Sequence, residues 1–103
     1  MIELRLDNSA LRLASMGESL ADQVTEALSQ ADVVRVDFAC VEMMTPSFAN
    51  TLVMTLLDRF TLATLQKQCT FVNRTEAVVD VMNRAVRRYQ SGIRLTTQLP
   101  VGA

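Results

Sequence analysis

The chain has 103 residues and a mass of 11.4 kDa, with 50 % hydrophobic and 20 % charged residues. That is enough for one small domain, with no room for a second, and too apolar for a disordered chain. Ten basic residues against eleven acidic ones leave a net charge of −1, so no basic excess is present to drive phosphate binding, and nucleic acid is not an expected partner. Histidine is absent, which removes imidazole metal sites, Ser-His-Asp and Cys-His triads and histidine phosphorelay. No apolar run approaches the ~20 residues of a membrane span. The N-terminus carries Glu3 and Asp7 and no apolar block, so no secretory signal is expected. Cys40 and Cys69 are expected as two reduced thiols in a cytoplasmic protein.

The pattern opens with alternation. Ile2, Leu4 and Leu6 face one way and Glu3 and Arg5 the other, which predicts a half-buried strand. Asp7, Asn8 and Ser9 are turn residues, and Leu11 and Leu13 suggest a short second strand and a hairpin. Ser15 and Glu18 have the spacing of a capping box, and Met16, Leu20, Val24 and Leu28 share a helical face, ending near Asp32. Val33 to Phe38 is β-branched and dense in apolar residues, like a strand buried on both faces. A loop follows to Met44. Thr45-Pro46 then pairs a good N-cap with proline at the first helical position. Phe48, Leu52, Leu56 and Phe60 carry that helix to about Leu65, and its wide apolar stripe makes it the most buried. Cys69 to Val72 predicts a strand, Asn73-Arg74 a turn and Thr75 the cap of another helix. Val78, Met82, Ala85 and Tyr89 form that helix's inner stripe, with Arg84, Arg87 and Arg88 toward its end. Ser91-Gly92 is expected to stop it, and Ile93, Leu95 and Thr97 to form a last strand. The alternation predicts an α/β fold: one domain over residues 1–99, a mixed four- to five-stranded sheet packed by about three helices, and a tail at 100–103.

Chemistry concentrates between Val36 and Asn50. The phosphate-cradling glycine motifs are missing, since Gly17, Gly92 and Gly102 form no such spacing. What remains is a strand, a short loop and a helix start bearing hydroxyls. Ligands and partners of open α/β sheets meet the carboxyl ends of strands. A helix N-terminus offers free N–H groups and the positive end of a dipole, which would stabilise a phosphate on Thr45 or Ser47. Plain capping explains the same residues. Asp37 is read as pairing with an arginine or capping a loop. Asn73 is read as a turn residue, with partner contact as the alternative. Met43-Met44 either forms an adaptable contact surface or folds onto the sheet. Cys40 has no neighbouring cation in sequence to activate it. No catalytic residue, metal site or cofactor is expected.

The segment VDFACVEMMTPSFANTLV resembles the strand–loop–helix segment of STAS domains, the domains of anti-sigma-factor antagonists and of sulfate-transporter tails. It is more closely similar to a bacterial STAS-like family of unknown function. The resemblance lies in Asp37-Phe38, Val41 and Ser47-Phe48-Ala49, supported by Leu13-Ala14-Ser15, Gly17 and Phe71-Val72-Asn73. It can be laid along the chain from about Leu13 to Val86. It implies a STAS-like fold that works through protein–protein contact. In the antagonists a Ser or Thr at the start of this helix is phosphorylated by a partner kinase. Aligned by the strand, Pro46 holds that position here, leaving Ser47 and Thr45 as phosphoacceptor candidates, while Phe48 replaces the antagonists' glycine. Asn50 and Thr51 replace the acids of the STAS-like family. The implied function is a non-enzymatic regulatory module that binds a protein, such as a histidine-kinase-like ATPase. Its contacts would be Met43, Met44, Thr45, Ser47, Asn50, Asn73 and Arg74. Two other readings stand beside it. One is a constitutive, self-associating assembly subunit, which the mean hydropathy of +0.20 suits. The other is a binder of small ligands or anions at the strand ends.

Overall fold

The computed structural model describes residues 1–102, with side chains described for residues 1–91. In chain order the elements are β1 (Ile2–Arg5), β2 (Ala10–Leu11), α1 (Ala14–Gln30), β3 (Val34–Asp37), β4 (Met43–Met44), α2 (Pro46–Arg59), α3 (Leu62–Gln68), β5 (Cys69–Val72) and α4 (Glu76–Gly102). The fold is α/β, as the alternation predicts. Its strands form two parallel sheets, β1-β3-β5 and β2-β4, where one mixed sheet was expected. No hairpin joins β1 to β2. Each instead pairs with a strand that follows α1: Ile2 is in register with Val34, and Ala10 with Met43.

The three-stranded sheet is covered on one face. The rows Ile2/Val34/Cys69 and Leu4/Val36/Phe71 point toward the helices, and Val34 and Val36 have no exposed surface. The row Glu3/Arg35/Thr70 points the other way and is exposed. The expectation that Val33–Phe38 is buried on both faces is therefore corrected: Arg35 and the exposed Val33 leave it half-buried in the manner of β1. Ion pairs of Glu3 with Arg5 and with Arg35, each 3.8 Å, spread over this open face.

Above the apolar face, α1 packs on α2 and α2 on α4. Gly17, Leu20, Ala21, Val24 and Ala27 form the buried side of α1. Phe48, Ala49, Leu52, Val53 and Leu56 do so in α2, and Val78, Met82 and Ala85 in α4. Phe38 and Phe48 are wholly buried and anchor this core.

Four helix boundaries differ from the sequence reading. Helix α1 starts at Ala14 with Leu13 as N-cap and no capping side chain, so Ser15 and Glu18 form no box. The helix expected to reach Leu65 breaks at Phe60, whose backbone is extended, and Thr61 caps a new helix by accepting from the Thr64 N–H at 3.1 Å. A threonine with that local bond competes with continued helix. Helix α4 passes through Gly92 to Gly102, so no strand forms over Ile93–Thr97. Arg84, Arg87 and Arg88 accordingly sit inside α4, with Arg84 paired to Asp80 at 2.9 Å. Among the described residues, no helix is long and apolar enough to cross a membrane.

Helices α1 and α2 approach closely at Gly17. A Cβ there would stand 2.6 Å from the Phe48 carbonyl oxygen and 3.2 Å from the Leu52 nitrogen. Both are backbone atoms, so relief requires moving a helix. Gly17→Ala should destabilise the domain by about 1–3 kcal/mol, although alanine is the better helix former by about 1 kcal/mol. A urea titration against wild type measures it; an unchanged or higher midpoint would contradict the packing described.

Candidate functional site

Asp37 ends β3 and starts the loop that leads to α2. Its Oδ1 accepts the Ala39 N–H at 2.9 Å, and the Val41 N–H closes a turn on the Phe38 carbonyl at 2.9 Å. Phe38 and Val41 are buried, so this turn is held down at two points while Ala39 and Cys40 stay exposed. The chain then runs along β2. The Glu42 and Met43 N–H groups both donate to the Ser9 carbonyl, at 2.8 and 3.1 Å. Strand alternation divides the methionine pair: Met43 is 40 % exposed and Met44 only 5 %.

Thr45 fixes the start of α2 from three directions. Its N–H donates to the Leu11 carbonyl at 2.9 Å. Its hydroxyl donates to the Arg12 carbonyl at 2.8 Å and accepts the Phe48 N–H at 3.2 Å. Pro46 occupies the first turn as the sequence implies, where its missing N–H costs nothing. Pro46 and Ser47 are exposed, Asn50 is half-buried, and no acidic residue lies in the first turn of α2.

The turn after β5 lies across the same strand end. Asn73 has φ 60°, the left-handed conformation that asparagine tolerates better than most residues. Its Nδ2 donates to Asp37 Oδ1 at 2.9 Å, and Arg5 Nε stands 3.8 Å from Asp37 Oδ2. The Asn73 hydrogen bond, the Ala39 N–H and the Arg5 and Arg35 charges outweigh burial, and they hold this carboxyl below its ordinary value of 3.8. Arg74 turns away from them. Its guanidinium lies 5.7 Å over the Phe71 ring and its Nη1 is 3.7 Å from Met82 Sδ.

A family model described as a STAS-like domain of unknown function (DUF4325) matches residues 16–79, more than half of the chain. The chain belongs to this STAS-like family. No curated protein and no solved structure gives a significant match. The matched stretch runs from within α1 through β3, β4, α2, α3 and β5 into the start of α4, and leaves β1 and β2, with Arg5, Leu11 and Arg12, outside it.

Within this STAS-like domain six of the seven residues singled out as contacts fall into two groups. Met43, Thr45, Ser47 and Asn50 line the loop and the start of α2; Asn73 and Arg74 lie on the neighbouring turn. Among the described residues no hydrogen bond or ion pair joins the groups directly. Asp37 connects them, by holding Asn73 and by anchoring the loop at Ala39. Met44 is corrected: its side chain belongs to the core and is not offered to a partner. The Thr45 hydroxyl is committed as donor and acceptor, whereas Ser47 makes no side-chain hydrogen bond among the described residues. Cys40 is exposed; Cys69 is buried, and desolvation pushes its thiol up to about 11. The described residues contain no group of three or more Cys, Asp or Glu side chains placed to hold a metal. Sequence reasoning recognised the loop-capping role of Asp37 but missed its bond to Asn73. The one available signal was a polar Asn after a strand.

Two measurements follow from Asp37 and Asn73. Asn73→Gly loses the hydrogen bond and loosens the unfolded chain but fits the left-handed backbone, whereas Asn73→Ala loses the bond and bears the left-handed cost. The alanine variant should therefore be the less stable of the two by about 1 kcal/mol in urea denaturation; equal stabilities would remove that strain from the account. For Asp37 the folded pKa is depressed. Its contribution is complete above the ordinary value of 3.8 and is lost as pH falls below it. The melting temperature of wild type should exceed that of Asp37→Asn at pH 7, and the gap should narrow progressively as the pH is taken below 3.8.

Proposed function

We propose that this STAS-like domain is a regulatory protein–protein interaction module. It docks a partner through the edge formed by Met43, Ser47 and Asn50, and it has no chemistry of its own. One observation carries the reading: the first turn of α2, rigidly capped by Thr45, presents an exposed Ser47 with no acid in that turn, next to an exposed methionine. A rigid scaffold with an adaptable apolar side chain at its edge suits binding. An uncompensated helix N-terminus suits a phosphate, which would add about two negative charges and three acceptor oxygens there. The resemblance to anti-sigma-factor antagonists supports a partner of the histidine-kinase-like ATPase class. Ser47, and not Thr45, is the acceptor in this reading, because the Thr45 hydroxyl is committed to the Arg12 carbonyl and the Phe48 N–H.

The reading is tested by capturing partners on the tagged chain in the native host, with and without ATP, and mapping phosphosites by mass spectrometry. An ATPase partner and phosphate on Ser47 are expected. Ser47→Asp should weaken the captured complex by about tenfold or more relative to Ser47→Ala, the equivalent of about 1.4 kcal/mol. If both variants bind as wild type does, the switch is lost and a constitutive adaptor remains. If the chain captures only itself, self-association replaces the module.

A further inference from the structure

On the flank away from the loop, α2, α3, β5 and α4 surround a half-open groove of about 340 Å³. Its walls are mainly apolar, with Leu56, Leu65, Phe71, Met82 and Val86 and the buried Cys69 thiol among them. That thiol stays neutral, because burial raises its pKa to about 11. The groove is therefore lined mainly by apolar side chains, with the neutral polar Gln66, Thr70 and Asn83 and one cation, Arg74.

Arg74 is the unusual member. It is half-buried, and its guanidinium rests on an aromatic ring and a thioether sulfur. None of the ion pairs among the described residues includes it. Glu76 and Asp80 border a shallow depression on which Arg74 and Asn83 also lie, yet neither carboxylate comes within ion-pair distance of it. Partly desolvated arginines are ordinarily paired with an anion, and the planar guanidinium fork matches a carboxylate. Scaled from a 150 Å³ cavity that holds benzene, the groove takes about a dozen non-hydrogen atoms.

We infer that this groove is a binding site for a small amphiphilic carboxylate, with the hydrocarbon chain between α2 and α4 and the carboxylate on Arg74. The site is separate from the Met43–Asn50 edge and stands whether or not that edge docks a partner.

The probes are decanoate, which has the expected size and charge, and 1-decanol, its uncharged counterpart. Both are titrated below micelle concentration into the full ¹⁵N-labelled chain, and amide shifts are followed by NMR. Decanoate should shift the amides of Cys69, Phe71 and Arg74 saturably and bind at least tenfold more tightly than decanol. Arg74→Gln should abolish that preference while leaving decanol binding unchanged. Val86→Trp, which fills the groove, should weaken both ligands more than tenfold, with far-UV circular dichroism confirming that each variant is folded. Equal binding of the two probes to wild type overturns the inference without any variant. So do a preference that survives Arg74→Gln and shifts centred on Met43–Asn50.

Discussion

The arrangement of the domain depends on how closely α1 can approach α2. Gly17 lets the two backbones meet, because the Phe48 carbonyl occupies the space a side chain would fill. Three contacts then run in step along the pair. The Arg12 carbonyl meets the Thr45 hydroxyl, Gly17 meets Phe48, and Arg59 meets Asp22 and Thr25, each at 2.9 Å. Residue numbers rise together on both helices, so α1 and α2 run in the same direction, as they must when each follows a strand of a parallel pair. The exposed Arg59–Asp22 pair contributes little energy. The crossing at Gly17 instead determines where the helices sit, and with them the first turn of α2. The position of Ser47 is thus a consequence of a glycine thirty residues earlier.

Asp37 performs the corresponding task for the sheet end. It lies on the row of β3 that faces solvent, yet it is only 8 % exposed, because the Ala39 turn and Asn73 close over it. A carboxylate placed there accepts hydrogen bonds from both segments and has Arg5 beside it. It joins the loop before α2 to the turn before α4, beside the Phe38 N–H that donates to the Val72 carbonyl at 3.0 Å. A side chain of the same size without charge would keep some of these bonds and lose the attraction to Arg5.

Much of this was legible in the sequence, for reasons that can be named. The alternation of Ile2 to Leu6 needs only the period of a strand, and it is seen in the half-buried β1. Thr45-Pro46 and Thr75 are local capping signals, and both hydroxyls accept the N–H three residues on. The missed features are non-local or too short. Strand β4 has two residues, below the length at which any period can be read, and its pairing with Ala10 and Leu11 depends on tertiary contact. The break at Phe60 falls in an unbroken apolar stripe, so periodicity runs straight across it, and only Thr61 hints at a new cap. Among the candidate contacts, Ser47 and Met43 were singled out for their types and places beside the start of α2, and both are exposed. The burial of Met44 was not legible, because it follows from the register of β4. Residues Gly17 and Asp37 were noticed, but what each of them touches lies far along the chain.

The energetic asymmetry of the sheet places the buried core, and the helices that carry the candidate contacts, on one side. Its open face carries Glu3, Arg5, Arg35 and Thr70, joined by ion pairs of 3.8 Å between largely exposed side chains. Such pairs are worth at most about 1 kcal/mol each, and charges on short strands discourage edge-to-edge pairing. The stability must come from the other face, where Phe38, Phe48, Leu52 and Val78 are wholly buried, each contributing about 1.5–3 kcal/mol on removal from water. Helix α2 lies in the middle of that layer, between α1 and α4. Its buried side holds the core together. Its first turn presents Ser47 at the strand ends, and its middle, at Leu52, Val53 and Leu56, forms one wall of the groove beside Arg74. A displacement of α2 would be felt at all three places, which is why its start is bound to Leu11 and Arg12 and its end to Asp22 and Thr25.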